Sequence, residues 1–311
     1  MAATLAFLFP GQGSQAVGMG RDLYAASAVA RATFAEADEV LGFALSRLCF
    51  DGPLEDLTLT ANTQPALLTV STALARALSA ETGVQPACAA GHSLGEFSAL
   101  VAAGAISFGD AVRVVRERGR AMQEAVPTGI GAMAAILGLD ASAVEAVCRD
   151  AAEGDIVSPA NLNGAGQIVI AGHKQAVERA VALAKARGAK RAIPLAVSAP
   201  FHCALMAPAA ERLRAVLEPV TICAPAFPVI SNVEAQAYRG AAGIKELLVR
   251  QVVSPVRWEE TVAALAQLGC TAAIEVGPGQ VLSGLMKRSA PAIRCASGFD
   301  FASVGALRGE G

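Results

Sequence analysis

Four short apolar runs, at 5–9, 87–91, 227–230 and 272–276, set the frame of this chain. Each stops at turn-forming residues: Pro10-Gly11, His92-Ser93, Ser231-Asn232 and Gly277-Pro278-Gly279. Helical patterns fill the intervals, one of them over 94–103. Strands that are apolar throughout and separated by helices imply a mostly parallel sheet covered on both faces. The expected class is therefore α/β.

The middle of the chain differs. Residues 131–139, 156–160, 167–171 and 190–195 read as strands, and 141–152 and 174–187 as helices. The order β-α-β-β-α-β is the ferredoxin-like pattern. Pro127 and Gly129 punctuate one end, Pro194 and Pro200 the other. The sequence thus predicts a discontinuous large domain, 1–127 and 198–311, carrying a small inserted domain at 128–197. A cleft between the two is the default ligand site.

Composition narrows the function. Hydrophobic residues make up 54% of 311 positions and charged residues 17%, which excludes disorder and coiled coil. A net charge of −2 offers no basic field for nucleic acid, and 5% aromatics little base stacking. The uncharged stretches 57–75 and 192–210 are broken by polar residues and prolines, so no membrane span is expected. The first cation is Arg21, too late for a secretory signal. Seven cysteines without a C-x-x-C pair fit a cytoplasmic protein with scattered thiols. No metal site and no resident cofactor are expected.

Gly91-His92-Ser93-Leu94-Gly95 has the G-x-S-x-G spacing between an apolar strand and a helix. That turn exposes the serine hydroxyl and aims the following N–H, from Leu94, at an oxyanion. A nucleophilic serine needs a base. Of three histidines, His92 adjoins Ser93 and diverges from it on a tight turn, and His173 sits beside Lys174 in the insert. His202 follows Ser198-Ala-Pro-Phe where the chain returns to the large domain, and is the best candidate base. Cys203 is a rival nucleophile with nothing but His202 to lower its pKa. No Asp or Glu stands out as a third member, so a dyad oriented by a carbonyl is expected.

Arg118 is the most informative residue. On a helix over 109–124, counted from Val112, it falls at about 240°, amid Val114, Val115, Ala121 and Met122. A guanidinium cannot shed its charge, so burying it without an anion is costly. Its partner is either a distant carboxylate or the carboxylate of an anionic substrate. The loop Pro10-Gly11-Gln12-Gly13-Ser14-Gln15 can offer backbone N–H groups at the end of the first strand, but lacks the lysine of a nucleotide-binding loop.

With these residues stand Asn161-Leu-Asn-Gly, Gln251 in Val-Arg-Gln-Val-Val-Ser-Pro-Val, and Glu275-Val-Gly-Pro-Gly. The set, in this order, closely resembles the malonyl-CoA:acyl-carrier-protein transacylase family of type II fatty acid synthesis. The acyltransferase domains of polyketide synthases share the pattern. The resemblance covers about residues 4–290. It implies an α/β-hydrolase-like large domain with a ferredoxin-like insert. It implies that Ser93 is acylated, with His202 as base, and that Leu94 and Gln12 supply oxyanion N–H groups. Arg118 would pair with the malonyl carboxylate, and the Gln251 carbonyl would hold His202. Asn161, His92, Met122 and Phe201 would line the cleft, Phe201 favouring malonyl over methylmalonyl. The implied partners are malonyl-CoA, a substrate rather than a cofactor, and acyl carrier protein. Lys190, Arg191, Lys287 and Arg288 are candidate contacts for an acidic carrier. A chain opening at Met1 without a flanking linker favours fatty acid synthesis over a standalone polyketide acyltransferase. A serine esterase or thioesterase shares the elbow but has no need of Arg118. An idle carrier-binding scaffold has no need of the three residues together.

Overall fold

The computed structural model describes residues 4–195, 197 and 199–297. Ser198, Ala196 and the two ends of the expected large domain, 1–3 and 298–311, lie outside the described residues. The strands are β1 (Leu5–Phe9), β2 (Cys88–Gly91), β3 (Gly131–Leu137), β4 (Val157–Leu162), β5 (Gln167–His173), β6 (Arg191–Pro194), β7 (Val229–Ile230), β8 (Ala272–Glu275) and β9 (Arg294–Ser297). They form two sheets. One runs β7-β2-β1-β8-β9 with every pairing parallel; the other runs β4-β5-β3-β6 with every pairing antiparallel. The protein is mixed α/β.

Alternation explains how β1 is buried on both faces. Phe7 and Phe9 enter the main core with the Thr60–Ala77, Leu94–Ala102 and Phe108–Glu124 helices. Ala6 and Leu8 face the other way, toward Trp258, Val262, Leu265 and Leu285. The antiparallel sheet divides likewise. Ala134, Ile136, Ile168 and Ile170 pack under the Ala141–Ala152 and Lys174–Ala186 helices. Met133, Ala135, Val169 and Ala171 join the main core.

Backbone bonds join β4 to the segment that leads into the Trp258–Gln267 helix. Leu162 N–H donates to the Val256 carbonyl at 2.9 Å, and Val256 N–H to that of Ala160 at 2.9 Å. Strand β4 therefore extends to residue 162, beyond the expected stop at 160, with an irregularity between Pro159 and Asn161. The run at 227–230 shrinks to the two residues of β7, since Pro228 has no N–H to give a ladder; its carbonyl still accepts from Ala89 at 2.8 Å. Strand β9 went unforeseen. Most of the uncharged 57–75 stretch lies in the Thr60–Ala77 helix, buried almost all round in the main core.

Candidate active site

Strand β2 ends at Gly91 and a helix starts at Leu94. The turn between them is crowded. A Cβ on Gly91 would lie 1.8 Å from the Gly95 carbonyl carbon, and one on Gly95 1.9 Å from the Phe9 carbonyl oxygen. Both positions admit only glycine. Ser93 has φ 53, a conformation uncommon outside glycine. Asn232 braces it: its Oδ1 accepts from Ser93 N–H at 2.7 Å and its Nδ2 donates to the Gly91 carbonyl at 2.6 Å.

His202, also at positive φ, 61, puts Nε2 2.7 Å from Ser93 Oγ. Its Nδ1 lies 2.8 Å from the Gln251 carbonyl. A carbonyl only accepts, so Nδ1 carries the proton and Nε2 is left free to take one. Burial, and then the Arg118 charge, push the imidazole pKa down to about 3. The other histidines stand apart. His92 Nε2 meets Asn163 Oδ1 at 3.0 Å and its ring lies 5.6 Å from Trp258. His173 Nδ1 accepts from Ile156 N–H at 2.9 Å in the antiparallel sheet. Cys203 donates to the Pro200 carbonyl at 3.1 Å, and burial raises its thiol to about 11.

Arg118 is 1% exposed. Nη1 donates to Gln64 Oε1 at 2.7 Å; Nη2 donates to Gln251 Oε1 at 2.7 Å and to Ser93 Oγ at 3.2 Å. Nε has no partner. Among the described residues no carboxylate pairs with it directly; its acceptors are neutral. The acid whose charge bears on it is Glu96, fully buried one helical turn beyond Ser93. Glu96 accepts from Gln251 Nε2 at 2.6 Å, from Asn232 N–H at 3.2 Å and from the Tyr238 hydroxyl. Burial raises its pKa to about 7 against the pull of those donors and of Arg118.

The loop after β1 lies against the elbow: a Cβ on Gly11 would sit 2.5 Å from the His92 carbonyl oxygen. Gln12 anchors that loop through Nε2 to Thr60 Oγ1 at 3.3 Å. Leu94 opens its helix, so its N–H has no acceptor within that helix. A cavity of about 330 Å³ is bounded by Gln12 of this loop and by Met133, Asn161, Leu195, Val197 and Phe201. Met122 is buried on the same helix as Arg118, its sulfur 3.5 Å from Gln64 Nε2. A larger cavity, about 690 Å³, opens near Gln85, Ile106 and Cys223, at the opposite end of β2 from Ser93. Among the described residues no cluster of three or more His, Cys, Asp or Glu could hold a metal. Nor is any helix among them long and apolar enough to cross a membrane.

Sequence reasoning named Ser93, His202, Arg118 and Gln251, and these four converge. It passed over Gln64, Glu96 and Asn232. Signals existed: Glu96 ends the Gly91-His-Ser-Leu-Gly-Glu motif, Gln64 interrupts an apolar stretch, and Asn232 sits in the turn after a strand. Tyr238 carried none.

A strained serine against a neutral histidine, with a buried cation beside them, is an arrangement suited to nucleophilic acyl chemistry. The chain belongs to the acyl transferase domain family, which matches residues 6–308. Its relatives are more particular. It is 55% identical over 283 residues to a malonyl CoA-acyl carrier protein transacylase of Escherichia coli K12, covering 91% of this chain and 92% of that one. The Bacillus subtilis 168 protein of the same name is 56% identical over 285 residues, covering 91% and 90%. An acyl carrier protein S-malonyltransferase structure from Vibrio cholerae has a TM-score of 0.95 at 52% identity, covering 98% and 100%. A malonyl-transacylase in complex with its type II polyketide acyl-carrier protein has a TM-score of 0.95 at 51% identity, covering 98% and 99%.

Proposed function

We propose that this chain transfers the malonyl group from malonyl-CoA to the phosphopantetheine thiol of acyl carrier protein, supplying malonyl carrier protein for fatty acid synthesis. One observation carries the substrate: a fully buried guanidinium, 3.2 Å from Ser93 Oγ, whose acceptors are all neutral and whose Nε is unpartnered. A carboxylate on the acyl group supplies the missing anion. Esterase chemistry asks for no such cation.

The reaction is ping-pong. His202 Nε2 takes the Ser93 proton as Oγ bonds to the thioester carbon. The tetrahedral oxyanion is held by the N–H groups of Leu94 and Gln12. Its collapse breaks the C–S bond, and His202 returns the proton to the departing sulfur. The carrier thiol then repeats the sequence: its proton goes to His202, its sulfur bonds to the malonyl carbon, and Ser93 leaves with the proton. The Gln251 carbonyl keeps His202 in the required tautomer throughout. Asn161 and Phe201 border the acyl cavity.

The architecture belongs to the same proposal. The parallel sheet with its nucleophile elbow is α/β-hydrolase-like, over 1–127 and 198–311. The insert, 128–197, is ferredoxin-like; its order β4-β5-β3-β6 supports that description. The buried free thiols Cys49, Cys88, Cys148, Cys203 and Cys270 suit the cytoplasm. Lys190, Arg191, Lys287 and Arg288 offer the carrier a basic rim.

Intact-protein mass spectrometry after malonyl-CoA tests the proposal. One malonyl mass should appear on wild type, vanish in Ser93→Ala, and leave when carrier is added. An adduct surviving in Ser93→Ala, or mapping to Cys203, ends the serine assignment. In folded Arg118→Ala, malonyl transfer should fall roughly 30- to several-thousand-fold, as for loss of one partner of a buried charge pair, while acetyl transfer holds or rises. A parallel loss of both would make Arg118 structural.

A further inference from the structure

We propose that Glu96 is a positioning residue of this site: its buried carboxylate holds the side chain of Gln251 in the orientation that presents Arg118 to the acyl carboxylate. The proposal rests on the assignment of Arg118 as the clamp for that carboxylate.

Gln251 does two jobs. Its backbone carbonyl holds His202 Nδ1 at 2.8 Å, and its side-chain oxygen holds Arg118 Nη2 at 2.7 Å. The second job depends on the amide. Nε2 points the other way, to Glu96 Oε2 at 2.6 Å and to the Ser93 carbonyl at 3.0 Å. Turned over, the amide would set its oxygen against a carboxylate and a carbonyl, and its NH₂ against a guanidinium. All three contacts would then oppose like with like. Glu96 makes the shortest of the bonds that fix this orientation, on the side of the amide opposite Arg118.

Glu96 reaches the serine by a second route. It accepts from the Asn232 N–H, and the Asn232 side chain grips Ser93 N–H and the Gly91 carbonyl. The residues bracing both halves of the site, the acyl clamp and the strained elbow, therefore meet on one carboxylate that touches neither substrate nor nucleophile. Tyr238 closes its far side. A carboxylate in such a place has lost all contact with water; a structural helix position would be filled more cheaply by an apolar residue.

The test is a double-mutant cycle on Glu96→Ala and Gln251→Ala, which keeps the backbone carbonyl for His202. The readout is the ratio of kcat/KM for malonyl-CoA over acetyl-CoA. Each single variant should lower the malonyl value roughly 10- to 100-fold, the usual effect of displacing a supporting contact, with a smaller loss for acetyl. In that ratio the double variant should be no more than about 3-fold worse than Gln251→Ala, because Glu96 acts on Arg118 through Gln251, while its route through Asn232 reaches the elbow that both substrates share. Glu96→Gln should recover most of the ratio. Its oxygen can accept from Gln251 and Asn232 while its NH₂ faces the Tyr238 hydroxyl, which accepts as well as donates. Should Glu96→Ala not fold, Glu96→Asp, a methylene shorter, takes its place in the cycle. An additive cycle, or an unchanged ratio with lower stability, makes Glu96 a plain structural acid and overturns the proposal. A wild-type ratio near one overturns the substrate assignment and the role of Glu96 with it, a result visible before any variant is made.

Discussion

At the scale of single residues, the site combines two strained backbones with one imidazole held neutral. Ser93 and His202 both sit at positive φ, and each is held there by bonds to its neighbours rather than by its own preference. The 2.7 Å contact between them is the result. Its pH dependence follows from burial. Protonating His202 would bury a second cation beside Arg118, so its pKa falls from 6.5 to about 3. The neutral, base-competent form then persists through the whole range where a free imidazole would be lost. Loss of rate by His202 protonation is expected only well below pH 5. Glu96 has the opposite shift, up to about 7, and ionises within the working range, facing Arg118, Gln251, Asn232 and Tyr238. Single-turnover acylation measured against pH should therefore show a shallow step near 7 in wild type that is missing in Glu96→Gln. Neither enzyme should show a fall with a midpoint near 6.5. Such a midpoint, equal in both, would mean that His202 titrates as an exposed histidine. The stability signs differ too. The His202 contribution is present above 6.5 and lost as pH falls toward 3; that of Glu96 is present below 4.5 and lost as pH rises through 7.

At the scale of elements, the clamp proposed for the acyl carboxylate is built on two helices that touch. A Cβ on Gly119 would lie 2.5 Å from the Thr60 carbonyl oxygen, so the Phe108–Glu124 helix runs hard against Thr60–Ala77. That closeness brings Gln64 within 2.7 Å of Arg118. Gly119→Ala must push the helices apart. It should cost about 1–3 kcal/mol, lower Tm by roughly 2–12 °C, and reduce malonyl-over-acetyl preference in the enzyme that remains folded. Gly109, on the same helix, offers an added Cβ only ordinary contact at 3.5 Å. Gly109→Ala should leave the preference alone and gain up to about 1 kcal/mol from helix propensity. Calorimetry on both, with equal effects, would refute the close-approach account. The same helices show what a sequence can disclose. Periodicity put Arg118 on an apolar face, because side-chain direction in a helix is fixed by spacing alone. Periodicity could not say what faced it there, since Gln64 and Gln251 come from elements 54 and 133 positions away. Strands bounded by turn residues were legible within a residue or two. Strand β9, with an exposed arginine and three part-buried residues beside β8, lacked the apolar run that marks the others. Helices that serve chiefly to cover the sheets carried amphipathic patterns without chemistry, and gave no reason to be singled out.

At the scale of the whole molecule, Ser93 and His202 come from opposite sides of the segment that forms the antiparallel sheet. Ser93 precedes β3 and His202 follows β6. Their separation is therefore set by how the two sheets meet, through the bonds of Ala160 and Leu162 with Val256 and the close approach of Gly131 to Pro200. The basic pairs straddle the same junction. Lys190 and Arg191 are exposed where β6 begins, with Lys190 packed over Gly138. Lys287 and Arg288 are exposed on the Val281–Ser289 helix, and Arg288 donates to Gln167 at 3.0 Å, on the strand after the Gly138–Gly166 contact. Pairs 97 positions apart in sequence thus border one end of the antiparallel sheet. On a chain of net charge −2, such a local concentration of cations would steer an acidic carrier without drawing polyanions to the rest of the surface. Steering acts on encounter, not on chemistry. Reversing all four charges to glutamate should slow transfer from the malonyl-enzyme to carrier protein roughly 10-fold at low ionic strength. The deficit should shrink as salt passes about 0.15 M. Transfer to free pantetheine, which has the same thiol but no charge, should stay within about 2-fold of wild type. Rapid-quench kinetics with the two acceptors separates the cases. If both acceptors slow together, the pairs support the cleft rather than the carrier. If neither slows, the carrier docks on another face.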